Sequence, residues 1–117
     1  MNMPSDCLFC RIIAGEFGAE FVAQNDYAVA FRDINPQAPV HLLVVPRQHV
    51  SGFRDIGQLE DGALNGMLDL AVNAATALGI DRGGYRLVTN DGPEAGQTVF
   101  HLHWHLLGGA KLNGALA

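Results

Sequence analysis

His101-Leu102-His103-Trp104-His105-Leu106-Leu107 sets three histidines at i, i+2 and i+4 among large apolar residues. Successive side chains of an extended chain alternate between faces, so this spacing turns all three imidazoles to one side of a strand and Leu102, Trp104 and Leu106 to the other. The chain has five histidines, the remaining two being His41 and His49, so the cluster marks the strand as the place for chemistry. At ~3.3 Å per residue the outer two histidines of a strand lie about 13 Å apart, too far to close on a single ion. The three are therefore expected to serve more than one purpose.

Working outward, the turn signal Asn25-Asp26 separates apolar stretches at 21–24 and 27–32, which read as a hairpin. A third strand over 40–45 is bounded by Pro39 and Pro46, as suits a residue that cannot donate to a ladder. Leu64, Met67, Leu68, Ala71, Ala75 and Leu78 recur at helical spacing and predict one long helix over about 60–78, stopped by Gly79, with Gly62 and Gly66 weakening its first turns. A fourth strand is expected at 85–89, the histidine strand is the fifth, and 7–14 suits a short helix. The expectation is an α+β domain: a five-stranded, mainly antiparallel sheet with one long helix and a short amino-terminal helix.

The 117 residues suit one domain with a core that needs no disulfide staples. A composition of 49% hydrophobic and 16% charged residues excludes disorder, and no apolar run approaches the ~20 residues of a membrane span. Residues 1–6 lack the basic start and apolar stretch of a signal peptide, so a cytoplasmic protein without a membrane partner is expected. The net charge is −5 and no Lys/Arg cluster exists to neutralise a phosphate backbone, which argues against a nucleic-acid polymer as partner. Cys7 and Cys10, in C-x2-C spacing, suggest metal or redox chemistry more than a structural disulfide; a reduced pair filling apolar space is the alternative.

The alternation of histidine with hydrophobic residues, closed by two hydrophobics, resembles the signature of the histidine-triad family of nucleotide hydrolases and transferases. The likeness extends to Ala30-Phe31-Arg32-Asp33-Ile34-Asn35-Pro36-Gln37-Ala38-Pro39 before His41, to Val45-Pro46-Arg47-Gln48-His49, and to Gly96-Gln97-Thr98, covering 7–109 in all. Leu107-Gly108-Gly109 and Asn90 are similar to the Hint branch, which hydrolyses purine nucleoside phosphoramidates. The 91–99 loop is similar to the Fhit branch, which cleaves dinucleoside polyphosphates. Thr98 stands where Hint proteins usually carry serine, and the tail 111–117 lacks the tryptophan and prolines of the eukaryotic Hint carboxyl terminus.

The resemblance implies a division of labour. His103 is the nucleophile, since imidazole is neutral near pH 7 and can leave again in a second step. His105, the Thr98 hydroxyl, the Asn90 amide and the Gly96-Gln97 loop face the phosphate oxygens, and His41 orients His103 and manages protons. Asp33 accepts hydrogen bonds from the ribose hydroxyls, while Phe17, Phe31 and Ile34 hold the base of a purine nucleotide or nucleotide conjugate. Catalysis needs no metal, because only Asp91 and Glu94 offer carboxylates in the phosphate loop. A structural Zn2+ is implied on Cys7, Cys10, His49 and His101, and a homodimer is implied as in the Hint branch. Other readings are a dinucleoside polyphosphate hydrolase, a nucleotide-responsive binding or regulatory protein, and a metalloenzyme with its ion on His103 and His105.

Overall fold

The computed structural model describes residues 6–114; residues 1–5 and 115–117, and with them most of the amino-terminal leader reading and the end of the 111–117 tail, lie outside the described residues. A short helix α1 (Leu8–Ile13) precedes strands β1 (Ala23–Gln24), β2 (Ala28–Arg32) and β3 (Val40–Pro46). Helix α2 (Ala63–Ala77) and strands β4 (Tyr85–Val88) and β5 (Trp104–Gly108) complete the regular elements, with 3-10 turns at Phe53–Gln58 and Pro93–Ala95. All strand pairs are antiparallel, and the five run in the order β1-β2-β3-β5-β4.

Alternation along β2, β3 and β5 divides the molecule into two layers. Ala28, Ala30, Leu42, Val44, Trp104 and Leu106 point toward α2 and pack with Met67, Leu70, Ala71 and Ala74. Val29, Phe31, Leu43 and Val45 point the other way and pack with Phe9 of α1. His41 and His105 have the parity of this second face, so the sheet presents them beneath α1 and away from the long helix.

The histidine strand is shorter than the sequence suggests. Pairing with β3 starts at Val44↔Trp104, leaving His101 and His103 in irregular chain ahead of the ladder. Continued by two steps, the register would bring the chain opposite Pro46, which has no N–H to donate. The Pro46 carbonyl instead accepts from His101 Nε2 at 2.9 Å, and Leu102 N donates to Val50 O at 2.8 Å.

Helix α2 also departs from its expected face and start. Gly62, at φ 86°, delays the helix to Ala63, and Leu64 and Leu68 stay exposed while the small residues Gly66, Ala71, Ala74 and Ala75 face the sheet. Small residues let the helix axis approach the strands closely, an advantage that a search for large apolar residues overlooks. Asn25 ties the hairpin to this helix: its Oδ1 accepts from Tyr27 N and Ala28 N, both at 2.9 Å, and its Nδ2 donates to Gly66 O at 2.9 Å. Gly66 is therefore required for packing, since a Cβ there would lie 2.5 Å from Tyr27 Cδ2. Gly66→Ala is expected to destabilise the protein by about 1–3 kcal/mol through overpacking, despite the better helix propensity of alanine. A denaturation midpoint at or above wild type would contradict this.

Candidate active site

A cavity of about 1310 Å³ opens on the α1 face of the sheet, with His41, His103 and His105 on its wall beside Phe9, Leu43, Thr98 and Val99. His41 and His105 are diagonal neighbours across the β3–β5 ladder, where the Cα partners are Leu43↔His105 and His41↔Leu107. Their rings meet, with His41 Nε2 2.9 Å from His105 Nδ1.

Backbone hydrogen bonds fix which ring nitrogens carry protons. Gln37 N donates to His41 Nδ1 at 3.0 Å, so the proton of neutral His41 sits on Nε2 and is shared with His105 Nδ1. That leaves the His105 proton on Nε2. His103 is held in the opposite sense: its Nδ1–H donates to the His101 carbonyl at 2.7 Å, leaving Nε2 with an uncommitted lone pair. A Nε2 lone pair on one ring and a Nε2–H on the next give the cavity a nucleophile and a proton donor at adjacent positions.

Burial disfavours the charged forms of His105 and His103. The His105 pKa is pushed down to about 4, first by desolvation and then by the charges His103 and His41 would carry, against an opposing pull from Asp33. Burial also lowers His103. As pH falls below the ordinary imidazole value of 6.5, the unfolded chain takes up a proton at position 105 that the folded chain refuses until about pH 4. Stability is thus expected to decline from pH 6.5 toward 4, with the decline reduced in His105→Asn. Melting temperatures across that window check it, and an identical pH slope in the variant would sink the attribution.

The other predicted residues divide by location. Phe17, Phe31, Asp33 and Ile34 line the cavity, with Phe31 buried and Ile34 92% exposed at the mouth. Asp33 Oδ1 caps its own turn by accepting from Asn35 N at 2.8 Å, and Oδ2 lies 3.4 Å from His41 Nε2. Thr98 is exposed on the cavity wall, whereas Asn90, Gly96 and Gln97 are not among its lining residues. Gln97 is buried and braces the loop: Oε1 accepts from Gly92 N at 2.8 Å, and Nε2 donates to Ser51 O at 2.8 Å and Val99 O at 3.1 Å. Gly96, at φ 93°, closes the 3-10 turn.

Sequence reasoning missed three participants. Phe9 sets its ring edge to face against His103 at 5.0 Å between centroids; its place inside the C-x2-C was the only signal. Thr89 Oγ1 donates to the His103 carbonyl at 3.0 Å. The Gln37 backbone fixes the His41 tautomer, a contribution with no side-chain signature.

Cys7, Cys10, His49 and His101 gather at the base of α1, with one donor atom from each lying within 4.8 Å of the others. Cys7 Sγ to His101 Nδ1 is 3.3 Å, Cys10 Sγ to His49 Nδ1 3.4 Å, Cys10 Sγ to His101 Nδ1 3.5 Å and His49 Nδ1 to His101 Nδ1 3.1 Å. A zinc tetrahedron built from Zn–S and Zn–N bonds has edges of roughly 3.3–3.8 Å, so the donor set fits with little movement. The His101 ring is oriented for ligation, because Nε2 donates to Pro46 O and frees Nδ1. Without a cation, burial and the neighbouring Cys7 push the Cys10 thiol up to about 12. Asp33, His41 and His105 also come close enough to be considered for a metal, but Gln37 N–H occupies His41 Nδ1 and keeps the proton on the Nε2 that would have to ligate.

Three histidines on one cavity wall, one of them with its Nδ1–H held by a backbone carbonyl, define a histidine-lined site, and comparison with known proteins gives the chain a family. Residues 14–112 match the HIT domain. The chain is 40% identical over 115 residues to the purine nucleoside phosphoramidase of Escherichia coli, covering 98% of this chain and 97% of that one. It is 47% identical over 110 residues to an uncharacterized HIT-like protein of Synechococcus elongatus, covering 94% and 96% respectively. The crystal structure of a HIT family hydrolase from Legionella pneumophila Philadelphia 1 superposes with a TM-score of 0.89 at 41% identity, over 96% of this chain and all 100% of that one. The chain belongs to the HIT family.

Proposed function

We propose that this protein hydrolyses purine nucleoside phosphoramidates through a nucleotidyl group carried on His103 Nε2. The observation that carries the reading is the His103 Nδ1–H bond to the His101 carbonyl, which leaves Nε2 basic in a ring on the cavity wall. In the first step Nε2 attacks phosphorus, the substrate P–N bond breaks, and the amine departs with the proton of His105 Nε2 as the His41 Nε2 proton shifts toward His105 Nδ1. The charge left on the pair is offset by the cationic nucleotidyl-imidazolium on His103. In the second step water attacks the nucleotidyl-imidazole and gives a proton to His105 Nε2, which restores the histidine pair, the phosphorus–His103 bond breaks, and a nucleoside monophosphate is released. Thr98 supports the phosphate oxygens from the cavity wall, on a loop that Gln97 braces. Asp33 takes the ribose hydroxyls, and Phe17, Phe31 and Ile34 take the purine.

Cys7, Cys10, His49 and His101 would hold a structural zinc, which supplies a cross-link between α1 and the histidine segment and takes no part in either step. Pairing with a second copy is supported by the open edge of β4 and by exposed Tyr85 and Leu87 upon it, and by the exposed stripe Leu64, Leu68 and Val72 along α2. Light scattering giving monomer mass at micromolar concentration would contradict the pairing. A cytoplasmic setting suits the two free cysteines. The test of the activity is a substrate panel. Turnover of an adenosine phosphoramidate well above that of a diadenosine polyphosphate supports the reading, and the reverse order overturns it.

A further inference from the structure

The nucleophile lies just outside the sheet, so something other than ladder hydrogen bonds must hold it. β5 begins at Trp104, and the segment 101–103 is fastened by three contacts instead. These are His101 Nε2 to Pro46 O at 2.9 Å, Leu102 N to Val50 O at 2.8 Å and Thr89 Oγ1 to His103 O at 3.0 Å. The first belongs to a ring that is fully buried and has its other nitrogen among Cys7, Cys10 and His49. The carbonyl of that same residue accepts the His103 Nδ1–H at 2.7 Å. One residue thus joins the cysteine–histidine cluster through its side chain to the nucleophile through its backbone.

A second connection runs through α1. This helix has six residues, too few to persist without tertiary anchors, and its two buried residues are Cys10 and Phe9. Cys10 belongs to the cluster, and Phe9 packs edge to face on both His101 and His103, at 6.0 and 5.0 Å between centroids. Whatever fixes Cys10 also fixes the apolar wall of the nucleophile.

We infer that His101 is a positioning residue, and that zinc held by Cys7, Cys10, His49 and His101 sets how accurately His103 is presented, so that metal occupancy governs kcat. This rests on reading His103 as the nucleophile. Neither zinc nor the cysteines touch substrate. Their effect falls on the orientation of the attacking nitrogen, where a displacement on the order of 1 Å costs about 10²-fold in rate. Of the base and ribose contacts, Phe31, Asp33 and Ile34 lie on β2 and the turn that follows it and only Phe17 follows α1, so nucleotide affinity is expected to survive metal loss for the most part.

The test compares zinc-loaded wild type, the same protein stripped with a chelator, and His49→Ala, which removes a half-buried rim ligand and leaves α1 intact. Three quantities are read on each: kcat and KM with an adenosine phosphoramidate, affinity for adenosine monophosphate, and the His103 Nδ1–H resonance by imidazole NMR. Stripping and His49→Ala are each expected to lower kcat about 10- to 100-fold with KM and affinity within about twofold, and to shift or broaden the His103 Nδ1–H signal. An unmoved resonance with unchanged kcat overturns the proposal, as does a chain that takes up no zinc. Loss of adenosine monophosphate affinity in step with kcat also overturns it, since the cluster then holds the whole fold. A resonance that moves with zinc in a protein inactive on phosphoramidates supports the positioning role and sinks the assigned reaction, which keeps the two failures apart.

Discussion

His103→Gly is expected to lower phosphoramidate turnover by at least roughly 10⁴-fold while leaving nucleotide affinity close to wild type. The substitution removes the Nε2 lone pair and a ring that is 8% exposed, yet Phe31, Asp33 and Ile34 reach the cavity from β2 and its turn and are not disturbed. His105→Ala should be milder, about 10²- to 10³-fold, because the proton donor to the leaving amine is lost while the covalent route remains. Steady-state kinetics alongside calorimetric titration with adenosine monophosphate separates the two terms. Wild-type turnover in His103→Gly would remove the nucleophile from the account. A parallel loss of affinity would show that the ring supports the cavity rather than the reaction.

Stripping zinc, or replacing Cys10 with serine, is expected to lower the melting temperature by about 15 °C. A ligand bound at a thousand times its Kd contributes about 4 kcal/mol to the folded state, and for a chain of this size each kcal/mol moves the midpoint by roughly 4 °C. The direction follows from binding to the folded state alone: the unfolded chain does not bring Cys7 and Cys10 to His49 and His101 across the separations in sequence that folding closes. Added zinc should raise the midpoint further by mass action, about 1.4 kcal/mol per tenfold concentration above Kd, in wild type and not in Cys10→Ser. Differential scanning calorimetry in the presence and absence of chelator reads this, and coincident melts would argue that the cysteines pack as a plain thiol pair.

Much of the architecture was legible because alternation is a local property. The period of two along 40–46 and 104–108 sorts Leu42, Val44, Trp104 and Leu106 from His41, Leu43 and His105 without any knowledge of partners. Properties that depend on a partner were harder to read. The late start of β5 follows from the missing N–H of Pro46, which matters only once the register is known. Leu64 and Leu68 share a helical spacing with Met67 and Ala71 in the sequence, whereas the sheet selected the small side of α2, with Gly66 fitted under Tyr27. In the site, residue types and spacing pointed to the histidines and the cysteine pair. The proton arrangement could not be read in this way, because it is set by the backbone groups of Gln37 and His101. Gln97 illustrates the same limit: a glutamine beside a glycine turn suggests contact with a phosphate, yet its side chain is engaged by Gly92, Ser51 and Val99.

The central claim is that phosphorus passes through His103 Nε2, and the most direct measurement is mass spectrometry of wild-type protein quenched during turnover of an adenosine phosphoramidate. The account predicts one adenosine monophosphate group on the chain, acid-labile as a phosphoramidate should be, and mapped by fragmentation to His103. Absence of any adduct under conditions where the first step outpaces the second, or an adduct mapped to His41 or His105, would contradict it.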